Sequence, residues 1–280
     1  MPHHPLQFGW FLTPDAGAPE ALLDTASLLD HTGFDLIGIQ DHPYQSRFLD
    51  TWTLLSAVAA RTERVTVFPD VACLPLRPPA VLAKSAASLD LLSGGRVELG
   101  LGAGGFWDAI AAMGGPRRTP GESIAALREA VEICRLMWSG ERSVSFPGEH
   151  YSVKGVHPGP VPAHDIGIWV GGYKPKMLRL VGEIGDGWVP SLGYIDEAGL
   201  IAAAAVIDDA ATRAGRDPAS IRRILNVGEI EPGADAVDTL VSLARTQGFD
   251  TFILAGTPTE TTARYFTGEV FPRVRDAVGE

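Results

Sequence analysis

The chain has 280 residues, 45% of them apolar and 20% charged, a balance ordinary for a globular protein with a sizeable core. Its formal net charge of −11 argues against the basic face that nucleic-acid binding requires. No run approaches the roughly 20 apolar residues of a membrane span, and Met1-Pro2-His3-His4-Pro5 lacks the basic-then-apolar layout of a signal peptide.

Short apolar runs alternate with helical ones along the chain. Gln7 to Leu12 reads as a first strand, and Pro19 to His31 as a helix opened by proline. Asp35 to Gln40 is a second strand, continuous and apolar as a strand covered on both faces must be, and Thr51 to Arg61 is its helix. Val65 to Cys73 gives strand three, followed by a helix from Pro79 to Leu92 that Gly94-Gly95 stops. Val97 to Gly102 is strand four, and Glu122 to Trp138 a long amphipathic helix. The rhythm then pauses from Ser143 to Asp165, where Val144-Ser145-Phe146 and Tyr151-Ser152-Val153 suggest a hairpin outside the main scaffold.

Strand five is Ile168 to Val170, with a helix at Lys176 to Ile184; strand six is Gly187 to Pro190, with a helix at Asp196 to Ala214. Ile221 to Val227 and Thr251 to Ala255 are strands seven and eight, followed by helices at Ala236 to Gly248 and Glu260 to Ala277. Eight βα units in this length predict a (β/α)₈ TIM barrel rather than an open doubly wound sheet, which uses fewer units. Nothing linker-like divides the chain, so residues 1–280 are expected to form one domain. Cys73 and Cys134 stand far apart in apolar runs, as buried thiols of a reducing compartment do, and the expected location is the cytoplasm.

In a barrel, chemistry gathers at strand ends and the loops after them. Three loops stand out. Gln40-Asp41-His42-Pro43-Tyr44 follows strand two and pairs an acid with a group titrating near neutral pH; a capping Asp41 beside an exposed His42 is the alternative. The other six histidines lie in the N-terminal tail, at a helix end or in the excursion, where a structural reading is favoured. Gly100-Leu101-Gly102-Ala103-Gly104-Gly105 matches G-x-G-x-x-G, but three βα units precede it and Phe106-Trp107-Asp108 offers no obvious helix start. What it retains is room for a flat ring or another backbone to approach closely. Gly171-Gly172-Tyr173-Lys174-Pro175-Lys176-Met177 follows strand five and opens a helix, so free N–H groups and two lysines make an anion site; an ordinary loop with solvated lysines is the alternative.

There is no G-x-S-x-G, Walker A or H-E-x-x-H sequence and no Cys/His pair at metal spacing, so neither a side-chain nucleophile nor a metal is expected. An anion site without a nucleophile points to chemistry borrowed from a phosphate-bearing cofactor.

At these loops the sequence resembles the luciferase-like monooxygenase superfamily of flavin- and deazaflavin-dependent barrels. The resemblance covers most of the chain. It is carried by Phe8-Gly9, Gly33-Phe34-Asp35, Gln40-Asp41-His42, and Ser93-Gly94-Gly95-Arg96-Val97 leading into Gly100-Leu101-Gly102. It continues through Phe146-Pro147-Gly148-Glu149-His150-Tyr151, Gly171-Gly172 with Pro175-Lys176, and Gly182-Glu183-Ile184-Gly185-Asp186-Gly187.

The resemblance implies a luciferase-like TIM barrel binding coenzyme F420, with FMN as the alternative. It implies catalytic roles for His42 and Asp41, with Asp41 also beside the ring, and a non-prolyl cis peptide near Asp70-Val71-Ala72 supporting that ring. Gly102, Ala103 and Gly104 would floor the site, and Gly172 with Lys174, Pro175, Lys176 and Met177 would receive the cofactor phosphate. Where some deazaflavin sugar-phosphate dehydrogenases carry a glutamate after strand four, this chain has Gly105, which puts that substrate chemistry in doubt. The leading reading is hydride transfer between F420 and a small organic substrate. The others are an FMN monooxygenase served by a separate reductase, and a non-catalytic barrel. The resemblance also implies a homodimer. Tyr44, Phe106, Trp107 and Trp188 are candidates to line an apolar pocket, which the excursion either covers or leaves open.

Overall fold

A computed structural model of the chain describes residues 2–280. The chain runs through β1 (Gln7–Leu12), α1 (Pro19–Thr32), β2 (Leu36–Ile39), α2 (Thr51–Arg61), β3 (Thr66–Pro69), β4 (Ala72–Cys73), α3 (Pro79–Ser93) and β5 (Leu99–Gly102). A short α4 (Trp107–Ala112) and a long α5 (Pro120–Trp138) precede a hairpin of β6 (Val144–Pro147) and β7 (Ser152–Val156). The alternation resumes with β8 (Ile168–Val170), α6 (Pro175–Ile184), β9 (Gly187–Trp188), α7 (Glu197–Arg213), β10 (Arg222–Gly228), α8 (Ala234–Gln247) and β11 (Thr251–Leu254). Then come α9 (Glu260–Tyr265), a π-helical turn at Phe266–Val270, and α10 (Phe271–Val278).

The strands other than β6 and β7 pair in parallel in the order β3-β2-β1-β11-β10-β9-β8-β5-β4. β3 and β4 are halves of one barrel strand, separated by the cis peptide bond between Asp70 and Val71. One half pairs with β2 and the other with β5, and a bridge from Val67 to Val97 ties the two edges together. The result is the eight-stranded barrel that the unit count predicts.

Two apolar layers hold it. Inside the barrel Leu36, Phe68, Trp169, Val189, Ile224 and Ile253 pack on one another. Space for the large rings comes from Gly187, where a Cβ would stand 2.5 Å from the Trp169 ring. The larger layer lies between barrel and helices and includes Phe8, Leu55, Leu127, Val181, Leu240 and Phe252. Each such side chain contributes roughly 1.5–3 kcal/mol through burial.

Helix starts follow their caps. Asp50 accepts from Thr53 N at 2.9 Å to open α2, and Thr119 with Glu122 forms a capping box that opens α5 two residues before the expected Glu122. α4 was not expected, because Phe106 at its N-terminus offers no capping side chain. The expected single helix from Glu260 to Ala277 is interrupted by the π turn just before Pro272, whose ring lacks an N–H and crowds the preceding turn.

Several motifs of the sequence turn out to be struts of the scaffold. Arg96 donates to the carbonyls of Ser93, Ala59, Thr62 and Val65 at 2.8–2.9 Å, capping the end of α2. Asp186 accepts from Ile168 N at 3.0 Å and pairs with Arg135. Glu129 on α5 accepts from the N–H groups of Glu149, His150 and Tyr151 at 2.7–2.8 Å, which pins the hairpin segment to the barrel's side. Among the described residues no helix is long and apolar enough to cross a membrane, and no group of three or more His, Cys, Asp or Glu could hold a metal ion.

Candidate active site

The C-terminal ends of β2, β4, β5, β8, β9 and β10 surround a cavity of about 680 Å³, within the size range of small-molecule clefts. No residue of the 143–165 excursion lines it, so that segment leaves the mouth open.

After β2, Thr51 donates to Gln40 O at 2.6 Å and fixes the turn. Asp41 lines the cavity from this turn. Its carboxylate accepts from Arg77 Nε and Nη2, both at 2.7 Å, and from Cys73 N at 2.8 Å. This fork joins the end of strand two to the end of strand three, and its charge is matched where it lies, with the Asp41 side chain fully buried. Arg77 reaches on to Asp50, the cap of α2, at 2.8 Å.

His42 stands above this ion pair and faces the cavity. Its Nδ1 lies 2.5 Å from the Tyr44 hydroxyl, and its ring meets Tyr44 and Phe106 edge-on with centroids 5.3 and 5.5 Å away. Burial lowers the His42 pKa below the ordinary histidine value, only partly offset by the Asp41 charge, so the ring is neutral at pH 7. Burial also raises the Tyr44 hydroxyl well above its ordinary range and keeps it protonated. Cys73 is pushed up to about 11 by burial and then by Asp41, which leaves it a thiol rather than a nucleophile.

The cis bond between Asp70 and Val71 lies where the resemblance implies one. Val71 rests on the glycine ends of neighbouring strands: a Cβ on Gly102 would be 2.7 Å from Val71 Cγ2, and one on Gly171 3.2 Å. At Gly100 a Cβ would meet Pro69 O at 2.0 Å. Of the two approaches expected from the strand-four glycines, the one made at Gly100 is therefore that of a neighbouring backbone. Gly102, Ala103 and Gly104 line the cavity together with Asp70, Val71 and Ala72.

On the far wall, Asp70 Oδ1 accepts from Asn226 Nδ2 at 3.2 Å, and Asn226 Nδ2 also donates to Ser191 Oγ at 3.2 Å. Asp70 Oδ2 and Asn226 Oδ1 are buried without hydrogen-bond partners. Burial raises the Asp70 carboxyl to about 7, opposed only by the Asn226 hydrogen bond. Neither Asn226 nor Ser191 was singled out by sequence reasoning, although an asparagine inside the apolar run Ile224-Leu225-Asn226-Val227 was the available signal.

The anion loop divides. Gly172, Lys174 and Met177 line the cavity, whereas Pro175 and Lys176 do not and their side chains face solvent. Lys174 is the N-cap residue of α6, and the N–H groups of Lys176 and Met177 belong to the first turn, where a helix supplies no acceptor. Tyr44, Phe106 and Trp107 line the cavity as expected, joined by Tyr173 and Tyr194, which stack with centroids 5.9 Å apart. Trp188 does not. It is fully buried, donates from Nε1 to Gly172 O at 2.9 Å and stacks on Phe249, so its role is to brace the loop from below.

Residues 6–230 match the family described as luciferase-like monooxygenase. The F420-dependent glucose-6-phosphate dehydrogenase of Intrasporangium calvum is 32% identical over 242 residues, covering 82% of this chain and 72% of that protein. An F420-dependent secondary alcohol dehydrogenase, solved in complex with an F420–acetone adduct, superposes over 98% of this chain and 100% of its own at a TM-score of 0.83 and 20% identity. A monooxygenase from Streptomyces bottropensis superposes over 95% of this chain and 99% of its own, at 0.81 and 22%. At such identities the two structures establish a common fold. The family match and the curated relative go further: the chain belongs to the luciferase-like monooxygenase family and is an oxidoreductase of it.

Proposed function

We propose that the chain transfers hydride between coenzyme F420 and a small alcohol or carbonyl compound. The observation that carries this reading is a neutral histidine, His42, hydrogen-bonded to Tyr44 at the edge of a cavity whose base is an apolar shelf at Val71. The F420 dependence of the Intrasporangium calvum relative supports the choice of cofactor.

The residues present fit such a group. Val71 offers a flat apolar contact, the unpartnered Asp70 and Asn226 oxygens lie in the wall beside it, and the start of α6 with Lys174 suits a phosphate. When bound, the deazaflavin supplies the hydride donor or acceptor.

The chain's own residues position the partners and manage a proton. The Asp41–Arg77 fork fixes the loop that carries His42. The Tyr44 hydroxyl can serve Nδ1 in either sense. When it donates, Nε2 carries the ring proton and polarises a carbonyl oxygen. When it accepts from Nδ1–H, Nε2 is the base that receives an alcohol proton. Tyr44, Phe106, Trp107 and Tyr194 give the substrate an aromatic enclosure. Among the described residues no arginine lines the cavity, and Gly105 has nothing within 4 Å of where a Cβ would stand. The missing arginine, and a glycine where some sugar-phosphate dehydrogenases carry a glutamate, favour an uncharged substrate over a sugar phosphate.

Titration of the purified protein with F420 and with FMN tests the cofactor, and F420-linked turnover of a panel of alcohols, ketones and glucose 6-phosphate tests the substrate. Tight binding of FMN alone, or turnover restricted to the sugar phosphate, would overturn the reading.

A further inference from the structure

Two carboxyl groups reach this cavity, and they are held in opposite ways. Asp41 has a guanidinium and a backbone N–H against it. Asp70 has one neutral hydrogen bond, from Asn226, and its Oδ2 has none. That oxygen is directed toward β2, 3.1 Å from where a Cβ on Gly38 would lie, with the Phe68 ring close by. A single neutral donor is far from enough to hold an ionised carboxylate in such surroundings.

The other titratable groups of the cavity are Asp41, His42 and Tyr44 after β2, Cys73 in β4, and Tyr173, Lys174 and Tyr194 on the far rim. Among the described residues none of them hydrogen-bonds or ion-pairs with Asp70. Asp70 lines the cavity with 9% of its residue surface exposed and Oδ2 itself buried, and a ligand seated on the Val71 shelf would close off that remaining surface.

We propose that Asp70 is a proton-linked binding residue: a flat cofactor lying over Val71 binds with Asp70 in its neutral form and takes up a proton there. Asn226 and Ser191 are the positioning partners that hold the carboxyl in the wall. The inference rests on the cofactor reading above but not on which ring is bound.

The sign follows from burial. Asp70 in the free protein titrates at about 7, and covering it shifts the carboxyl further toward its neutral form. Binding is then tightest below pH 7, weakens as pH rises from the free-protein value toward the higher value in the complex, and levels off there. Near pH 7 the free carboxyl is only partly protonated, so binding takes up a fraction of a proton per ligand. His42 acts in the opposite sense: covering a histidine whose pKa is already lowered releases protons, and does so below pH 6.5.

Calorimetric titration of the protein with F420, and in parallel with FMN, in two buffers of different ionisation enthalpy gives the proton count directly. Dissociation constants from about pH 6 to 9 give the profile. The expected result is net uptake at pH 7 that disappears in Asp70→Asn, together with an affinity that falls up to tenfold per pH unit above neutrality in the wild type and stays flat in the variant. Asn226→Ala removes the one donor to Asp70, so uptake at pH 7 should shrink and the fall in affinity should move to higher pH. F420 binding with the same proton count in wild type and Asp70→Asn overturns the inference and leaves the cofactor reading standing. Proton-linked binding of FMN with no binding of F420 keeps the inference and overturns the cofactor reading. Binding of neither overturns both.

Discussion

Replacing Arg77 by methionine removes the cation from a fork of two 2.7 Å bonds and leaves the Asp41 carboxylate with only the Cys73 N–H at 2.8 Å. The Asp41 side chain is fully buried and the Arg77 side chain is 16% exposed, so water cannot replace the lost partner without opening the loop. Breaking one half of such a pair costs about 3–5 kcal/mol, most of it the penalty of an unpaired buried charge. The second contact of Arg77, to the half-exposed Asp50, adds less than about 1 kcal/mol. Denaturant unfolding at pH 7 should therefore show Arg77→Met destabilised by about 3–5 kcal/mol. The double variant Asp41→Asn/Arg77→Met, which has no charge left to strand, should recover about 2 kcal/mol of that loss. A loss below about 1 kcal/mol in Arg77→Met, or strict additivity in the double variant, would show that Asp41 is not anchored by this pair and return it to the list of reactive groups.

His42→Ala should lower turnover by about 10²–10⁴-fold while leaving the cofactor dissociation constant within a factor of a few, and unchanged turnover would remove His42 from the chemistry. At the side of the barrel, His164 Nδ1 lies 2.8 Å from Asp90 and its Nε2 faces Glu98 at 3.7 Å, and its pKa is raised, first by the Glu98 contact. That stabilisation is complete below the unfolded value of 6.5 and is lost as pH rises through the folded one. Unfolding midpoints measured upward from pH 6 should accordingly fall more steeply in the wild type than in His164→Gln, and parallel curves would refute the assignment. Gly100→Ala places a Cβ 2.0 Å from Pro69 O and should cost more than about 3 kcal/mol, whereas Gly105→Ala meets nothing within 4 Å and should be near neutral. A thermal-shift comparison of the two glycine variants tests the backbone-approach reading, and equal stabilities would refute it.

What could be read in advance divides along physical lines. Strands covered on both faces need continuous short apolar runs, so β1 and β8 have the bounds expected of them, and the start and stop residues of α1, α2 and α3 made those helices legible to within about a residue. α4 and the π turn were not legible, because one lacks a capping side chain and the other depends on how Pro272 is accommodated in an otherwise regular pattern. The site divides in the same way. Loops that follow strands announce themselves by position, and His42, Val71 and Gly102 all line the cavity. The partner of each group was not legible. Arg77 lies 36 residues from Asp41, and Asn226 lies 156 from Asp70, so no local spacing connects them. Yet those partners decide the chemistry. Two aspartates, each close to a strand end and indistinguishable by residue type, become a permanently paired anchor and an isolated acid titrating near neutrality, and only the distant chain brought beside each one makes the difference.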